Sequence, residues 1–334
     1  MQTSNSDWIR EAGKMGDVYS NSYCNIAASD AEDSLGTLFF RRDTSTILPE
    51  EINFEWHPKG PRTFLLYETE CEEPLSTRPL HKRGWVLQEQ LLAPRTLVFT
   101  KDQIRWECRF HEASETFPGG VPVSLNGEDL LQDSVPPRPR HLLKSMIVSA
   151  APVYSSYDRS DYNKSPLHCF WLNWKEIVEE YTNRHLTVGS DKLTAIAGIA
   201  SLLDRLFEVE GEPISNYIAG MWNVRFFTEY ELCWTVGNQP NGNPSRRPIC
   251  YRAPSWSWAS VDGKITYHYK RNYDRTGDTQ LAFVEDAKVV TVDGSATGPV
   301  ESGWIKIRGP LMEYENGAYA PDDESLPHPG KSTG

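Results

Sequence analysis

The residues whose types and spacing suit chemistry lie in one segment near residue 89. Glu89 follows Trp85 by four residues, so both side chains lie on one face of a helix. Arg83 and Arg95 flank this helix, and a guanidinium group can bind a phosphate or a carboxylate through two hydrogen bonds. Pairing of these arginines with Glu89 or Glu107 is the structural alternative, and a solvated glutamate or a buried ion pair also fits. We take Glu89 as the candidate catalytic carboxylate, Trp85 as its candidate orienting residue and the two arginines as candidate ligand-binding residues.

Patterns for other kinds of catalysis or metal binding are weak or missing. Cys108 and His111 have a short metal-like spacing, yet a second pair at suitable spacing is missing, so we predict no metal site. The sequence contains no Gly-x-Ser-x-Gly nucleophile motif and no glycine-rich phosphate loop. Trp256 and Trp258 could stack a ligand, and packing in the core of a hairpin is the alternative that we favour.

Composition indicates a folded and acidic protein. The 334 residues suffice for one large domain or two ordinary ones, and 34 basic against 46 acidic residues give a formal net charge of -12. An acidic chain without a basic block is a poor candidate for binding nucleic acid or an anionic membrane. The sequence has no signal peptide, no long apolar run and no Cys-x-x-Cys pair among its six cysteines. We therefore predict a cytoplasmic protein with reduced cysteines and no membrane span.

A helix followed by a hairpin positions the candidate residues. Apolar residues recur at helical spacing over residues 85–92, and Pro94 cannot continue the helix. Residues 96–99 are β-branched or aromatic and are typical of a buried strand, to which residues 104–108 pair back. Before this unit, Asp7 can cap a helix that ends near Ser20, and residues 23–28 suit a buried strand.

The second half of the chain combines helices with strands. Apolar stripes predict helices over about residues 167–184, 191–208 and 224–234. Residues 255–260 alternate strictly between Trp or Ala and Ser, which predicts a strand with both tryptophan rings on one face. Asp262 and Gly263 then predict a hairpin turn into residues 265–269. Further strands are expected at 281–292 and 304–308.

Several of these motifs, in this order, resemble the fungal heterokaryon-incompatibility (HET) domain. The second half of that domain is similar to Arg83-Gly84-Trp85-Val86-Leu87-Gln88-Glu89, Leu92-Ala93-Pro94-Arg95 and Trp106-Glu107-Cys108. The segment that precedes it is similar to residues 7–15, Val18-Tyr19 and Ala27-Ala28-Ser29. The strand-rich first half that HET domains normally have is not found. We therefore expect an α/β domain, an incomplete TIR-like HET domain, followed by an α+β region of amphipathic helices and hairpins.

The resemblance also implies a chemistry for the candidate glutamate. HET domains are thought to be related to TIR domains, and in nucleotide-hydrolysing TIR domains a Trp-x-x-x-Glu pattern, which looks like Trp85 and Glu89, carries the essential glutamate. Such a carboxylate beside a nicotinamide riboside could stabilise an oxocarbenium-like transition state or orient water. NAD would then be a substrate, and we predict no bound cofactor. We expect cleavage only from a complete domain and none from this chain as it stands.

The domain organisation and function follow from the same resemblance. We expect the carboxy-terminal part of a HET domain at residues 1–115, a linker at 116–165, a HET-associated α+β region at 166–315 and a disordered tail at 316–334. The leading hypothesis is non-self recognition and programmed cell death, with protein partners and self-association through an unpaired strand side. A TIR-like NAD-hydrolysing effector and a truncated, non-signalling derivative are the alternatives.

Overall fold

The computed structural model describes residues 5–42, 45, 47–55, 60–66, 74–120, 144, 166–207, 217–223, 231–267 and 282–310. Helices and strands are mixed along these ranges, which agrees with the predicted α/β class. The helices are α1 Asn5–Ser20, α2 Gly84–Leu92, α3 Pro166–Thr182 and α4 Thr194–Phe207. The first half contributes the strands β1 Asn25–Ala28, β2 Glu50–Phe54, β3 Arg62–Leu66, β4 Arg95–Phe99, β5 Ile104–Cys108 and β6 Glu112–Ser114. The second half contributes β7 Tyr217–Ile218, β8 Met221–Trp222, β9 Trp234–Val236, β10 Ile265–Tyr267, β11 Phe283–Thr291 and β12 Val300–Arg308.

A four-stranded sheet lies beside the candidate helix, in the order β1-β4-β5-β6. β1 runs parallel to β4, whereas β4–β5 and β5–β6 are antiparallel neighbours. α2 gives way to β4 because Ala93, the residue before Pro94, takes an extended conformation, as a residue before proline prefers. Within the described residues, β1 pairs on one side only, so it forms an edge of this sheet.

Helices α1, α2 and α4 meet at a close contact between two glycines. A Cβ atom on Gly16 of α1 would lie only 2.8 Å from the Cα atom of Gly198 in α4. The side chain of Gln88 in α2 joins the same junction, because its Oε1 atom accepts a hydrogen bond of 3.3 Å from the Gly198 amide. Only glycine allows the two helix backbones to come this close.

The main core includes side chains from both halves of the chain. Leu87 and Leu91 of α2 belong to the same buried apolar cluster as Trp174 of α3 and Ile196 of α4. The backbone also connects the halves, because the Gly84 amide donates to the His185 carbonyl at 2.7 Å. The second half therefore determines the position of α2. Most of the predicted linker at 116–165 and the whole predicted tail lie outside the described residues, so these boundaries stay predictions.

The predicted strand at residues 255–260 is wrong. Trp258–Ser260 form a short 3-10 helix, and the Ser257 hydroxyl caps it by accepting from the Ala259 amide. The Ser257 hydroxyl also donates to the Ala219 carbonyl at 2.5 Å, and the Trp258 indole donates to the Gly220 carbonyl at 2.7 Å. These bonds to the β7–β8 turn hold the segment in a compact conformation, with Trp258 fully buried.

The predicted hairpin after residue 262 is also different in the structure. β10 pairs antiparallel with β9, so its partner lies about 30 residues earlier in the chain rather than at residues 255–260. Of the predicted helix at 224–234, residues 224–230 lie outside the described residues, and Trp234 begins strand β9. The strands predicted at 281–292 and 304–308 are confirmed as the antiparallel pair β11 and β12.

The predicted helices agree well with the structure, whereas the strand predicted as buried at 23–28 is limited to β1 and is partly exposed, with Ile26 60% exposed. α1 begins at Asn5, three residues before the predicted start, and ends at Ser20 as predicted. α2, α3 and α4 match the predicted apolar stripes, with Gly189–Lys192 forming a separate 3-10 turn before α4. Among the described residues, no helix combines the length and apolar character needed to cross a membrane.

Candidate functional site

Glu89 lies half-buried on α2, next to the last turn of α1. The hydroxyl of Tyr19 hydrogen-bonds to its carboxylate. Burial raises the pKa of Glu89, whereas this hydrogen bond and the positive charges of Arg83 and Arg184 act in the opposite direction. The carboxylate is therefore surrounded by one phenol and two guanidinium groups that favour its ionised form.

The partner hydroxyl of Tyr19 stays protonated over the physiological pH range. Burial and the negative charge of Glu89 both raise its pKa well above the ordinary value of 10. A neutral phenol is a hydrogen-bond donor, so Tyr19 can hold one carboxylate oxygen of Glu89 in a defined direction. No sequence pattern predicted this role, although Tyr19 is part of a motif on which the family resemblance depends.

The other predicted site residues separate into two groups. Arg83 precedes the first residue of α2 and is exposed, and its charge acts on Glu89. Trp85 is partly buried and packs against the main core. Arg95 contacts Tyr23 instead: its guanidinium carbon lies 5.2 Å from the centroid of the tyrosine ring. The structure thus places Arg83, Trp85 and Glu89 along the first two turns of α2, with Arg95 at the start of β4.

The alternative that Arg95 pairs with Glu107 is wrong. Glu107 is buried on β5, and one of its carboxylate oxygens lies 3.6 Å from the Nζ atom of Lys144, which is also buried. The same ammonium group donates to the Thr96 hydroxyl at 3.0 Å. A lysine thus neutralises this buried carboxylate, and Lys144 lies in a stretch for which sequence patterns predicted only a linker.

A buried polar network next to Glu89 was missed by the sequence analysis. Ser29 Oγ lies 2.8 Å from His81 Nε2, and His81 Nδ1 lies 2.5 Å from Gln90 Nε2. Gln90 Oε1 accepts from Arg184 Nη2 at 3.0 Å, and that nitrogen also contacts Glu180. The network joins the end of β1 to α2 and α3. Only the position of Ser29, directly after a predicted strand, could have suggested it.

The direction of these hydrogen bonds argues against a serine nucleophile. A guanidinium group only donates, so Gln90 must present its oxygen to Arg184 and its amino group to His81. His81 Nδ1 then accepts, which leaves Nε2 to carry the proton and donate to Ser29. A histidine with this tautomer cannot take a proton from Ser29, and both side chains are fully buried. We therefore interpret the network as a structural link.

An ion cluster occupies the carboxyl ends of the two parallel strands. Arg78 is buried between Asp30, which follows β1, and Asp102, which follows β4. Asp30 Oδ2 accepts from Arg78 Nη1 and from the Lys101 amide, each at 2.5 Å. Ligands of open α/β sheets commonly bind outside this edge. In this chain Arg78 lies at that edge and joins the loops that follow β1 and β4 through its two ion pairs.

Cys108 and His111, the pair with a metal-like spacing, lie side by side at the end of β5. The Cys108 sulfur lies 4.0 Å from His111 Nδ1, and the thiol donates to the His111 carbonyl at 3.4 Å. In the part of the chain that the structure describes, no group of three or more His, Cys, Asp or Glu side chains is arranged to hold a metal ion.

Comparison with known proteins finds a family match over the first part of the chain. Residues 1–89 match the family described as "Heterokaryon incompatibility protein (HET)". The matched range contains α1 and β1 and ends at Glu89 itself. No curated protein and no solved structure matches the chain. The first 89 residues of the chain are therefore similar to the heterokaryon-incompatibility (HET) family.

Proposed function

We propose that this chain acts in fungal non-self recognition and programmed cell death through its HET domain. The observation that carries the proposal is the family match over residues 1–89, which includes Tyr19 and Glu89. The matched helices pack into one core with α3 and α4, so we propose that the second half holds the HET segment in its working conformation. Free cysteines at Cys24, Cys108, Cys233 and Cys250 suit the reducing cytoplasm, where we place this action.

Controlled expression in a filamentous fungus tests this function. The full chain is placed under an inducible promoter, and hyphal death is followed with a vital dye. Death upon induction is expected, because the HET segment carries the effector function in this proposal. The matched control is expression of a chain with Gly198→Ala, which we expect to fold less stably and to kill less. Normal growth at high levels of folded full-length protein would contradict the proposal.

The second candidate function is NAD hydrolysis at Glu89, and it rests on the environment of that carboxylate. Water would replace nicotinamide at the ribose carbon, giving nicotinamide, ADP-ribose and a proton. The ionised carboxylate would stabilise the positive charge that develops on the ribose ring. Arg83 is exposed at the start of α2 and could pair with the diphosphate. Tyr19 would orient Glu89 through its hydrogen bond.

Three variants, each made in a chain with an intact first half of a HET domain fused before residue 1, test this chemistry. Glu89→Gln keeps the shape of the side chain and removes its charge, so we expect NAD cleavage to fall at least a hundredfold. Tyr19→Phe should lower the rate to a lesser extent, because it removes only the orienting bond. Glu11→Gln changes an exposed carboxylate on α1 and should have no effect. Nicotinamide release is measured by chromatography, and activity that survives Glu89→Gln would exclude Glu89 as the catalytic group.

We also propose that the chain associates with a second copy of itself through β1. β1 has an open edge in the described sheet, and the side chain of Ile26 in its middle is 60% exposed. An open strand edge offers unpaired backbone donors and acceptors to another strand. Two copies of β1 can satisfy each other by antiparallel pairing around a twofold axis.

A further inference from the structure

In the second half, Glu231 and three aromatic side chains are buried and carry polar atoms that lack a hydrogen-bond partner in the described structure. Glu231 is 1% exposed, and neither of its carboxylate oxygens accepts a hydrogen bond. The hydroxyl groups of Tyr217 and Tyr267 and the indole nitrogen of Trp222 are also buried and unpaired. None of these residues belongs to the candidate site at Glu89.

These groups lie close to one another. Tyr217 and Trp222 are opposite each other in the β7–β8 pair, with ring centroids 5.1 Å apart. The carboxylate of Glu231 acts electrostatically on the hydroxyl groups of both Tyr217 and Tyr267. The unpaired atoms are therefore concentrated in one region, between the β7–β8 pair and β10.

A cluster of unpaired polar atoms in a protein interior indicates that a bound group completes their hydrogen bonds. Buried polar atoms in folded proteins nearly always have a partner, which can be a protein group, a bound water or a ligand. An unpaired carboxylate is the least favourable of these groups to bury, since its charge is left without compensation. A bound group that pairs with the Glu231 carboxylate and packs against aromatic rings would offset the free-energy cost of burying this carboxylate.

The charges around the region favour a cation as that group. Glu179 on α3 adds a second carboxylate, and its Oε1 atom accepts from the Tyr267 amide at 2.9 Å. The Lys175 ammonium lies 5.8 Å from the centroid of the Tyr267 ring, so this ring already interacts with one cation. Burial raises the pKa of Glu231, and the nearby Trp222 backbone amide lowers it without reaching full hydrogen-bonding geometry. A positively charged ligand could therefore replace the proton that burial favours on Glu231.

We propose that Glu231, together with Tyr217, Tyr267 and Trp222, binds a small organic ammonium ion. The carboxylate supplies the negative charge, and the aromatic rings supply the cation–π attraction that such ions prefer. The two phenol hydroxyl groups can accept from the N–H groups of a protonated amine or donate to the Glu231 carboxylate. Nothing in this proposal depends on the chemistry at Glu89.

Titration calorimetry on the full chain tests the proposal with matched probes. The cations are methylammonium and choline, and the uncharged probe is 3,3-dimethylbutan-1-ol, which has the shape of choline without its charge. Saturable binding of at least one cation, at least tenfold tighter than the uncharged probe, is expected. Repeating the titration in buffers of different ionisation enthalpy should show proton release, because pairing with a cation favours the ionised form of Glu231.

Variants connect the binding to the named residues. Glu231→Gln should weaken cation binding at least tenfold and abolish proton release, whereas Glu285→Gln, at an exposed ion pair on β11, should leave both unchanged. If Glu231→Gln fails to fold by circular dichroism, Tyr267→Phe removes one hydroxyl, with the exposed Tyr251→Phe as its control. Equal binding of the uncharged probe, no binding of any probe, or a crystal structure with only ordered water at Glu231 would overturn the proposal.

Discussion

At the scale of single residues, Lys192 is a lysine whose side chain is buried by folding. Its ammonium group donates to the Val261 carbonyl and lies 5.7 Å from the centroid of the Trp258 ring. Burial and the neighbouring charge of Arg252 together lower its pKa to about 7, although Asp262 acts in the opposite direction. The folded protein therefore holds this proton much less tightly than the unfolded chain.

The first prediction concerns the pH dependence of stability at Lys192. Between pH 7 and 10.5 the unfolded state binds more protons than the folded state, so this group makes stability rise with pH. Its unfavourable contribution is complete below pH 7 and amounts to roughly 5 kcal/mol there. Lys192→Met should be more stable than the natural protein near pH 7, with a smaller gain near pH 10. The Val261 carbonyl keeps its bond to Arg252 in the variant.

Urea denaturation at several pH values between 6 and 10 measures this difference. Lys264→Met, at an exposed lysine, is the matched control and should follow the natural protein at every pH. A constant difference between Lys192→Met and the natural protein across this range would show that Lys192 does not titrate there.

The second prediction concerns the buried tryptophan of the 3-10 turn. Trp258 is 0% exposed, and its indole donates to the Gly220 carbonyl, which also accepts from Trp174. Trp258→Ala should lower the free energy of unfolding by about 3–5 kcal/mol, because it leaves a cavity and loses this bond. Trp258→Phe should have a smaller effect, since most of the apolar volume remains. A loss below about 1 kcal/mol for Trp258→Ala, measured by chemical denaturation, would contradict the observed burial.

At the scale of secondary-structure elements, α2 shows how a short helix depends on its neighbours. Three consecutive polar residues of α2 each have a different partner: Gln88 contacts Gly198, Glu89 contacts Tyr19, and Gln90 contacts His81. A nine-residue helix is only marginally stable alone in water. The orientation of Glu89 is therefore a property of the packed helices rather than of α2 alone.

The third prediction tests the contact between α1 and α4. In Gly198→Ala the new methyl group would lie 2.7 Å from the Cα atom of Gly16, so the helices must move apart. We expect a loss of about 1–3 kcal/mol in the free energy of unfolding, despite the better helix propensity of alanine. Gly13→Ala in α1 is the control: it meets open space and should stabilise the protein by up to about 1 kcal/mol. Equal effects of the two substitutions would show that the helices do not touch at Gly198.

At the scale of the whole molecule, the open edge of β1 predicts self-association. We expect the full chain at tens of micromolar to have a larger mass than a monomer by light scattering. Ile26→Lys should shift it towards monomer, because a charge on a strand edge opposes pairing with another strand. Leu35→Lys, an exposed position after β1, should leave the mass unchanged. A uniform monomer of the natural chain at this concentration would contradict the proposed pairing.

The local elements of this protein could be predicted from the sequence because nearby residues determine them. The apolar spacing in α1, α2, α3 and α4 indicates helices, and Pro94 explains why α2 ends and β4 begins. The alternation of residues 255–260 failed as a predictor because contacts with a distant turn, rather than nearby residues, determine the conformation of this segment. A pattern with a period of two fits a strand, yet the carbonyls of the β7–β8 turn bind Ser257 and Trp258 and hold the segment as a 3-10 turn.

The surroundings of the candidate residues were decided by the tertiary structure. The sequence alone identified Glu89 and its helix, and the family match over residues 1–89 agrees with the motifs that it contains. It could not show that Tyr19 would hydrogen-bond to Glu89, or that His81 would lie between Ser29 and Gln90. Those partners lie 9 to 70 residues apart along the chain. Contacts over such separations arise only when the helices and the sheet pack around a common core, which no local pattern of residues encodes.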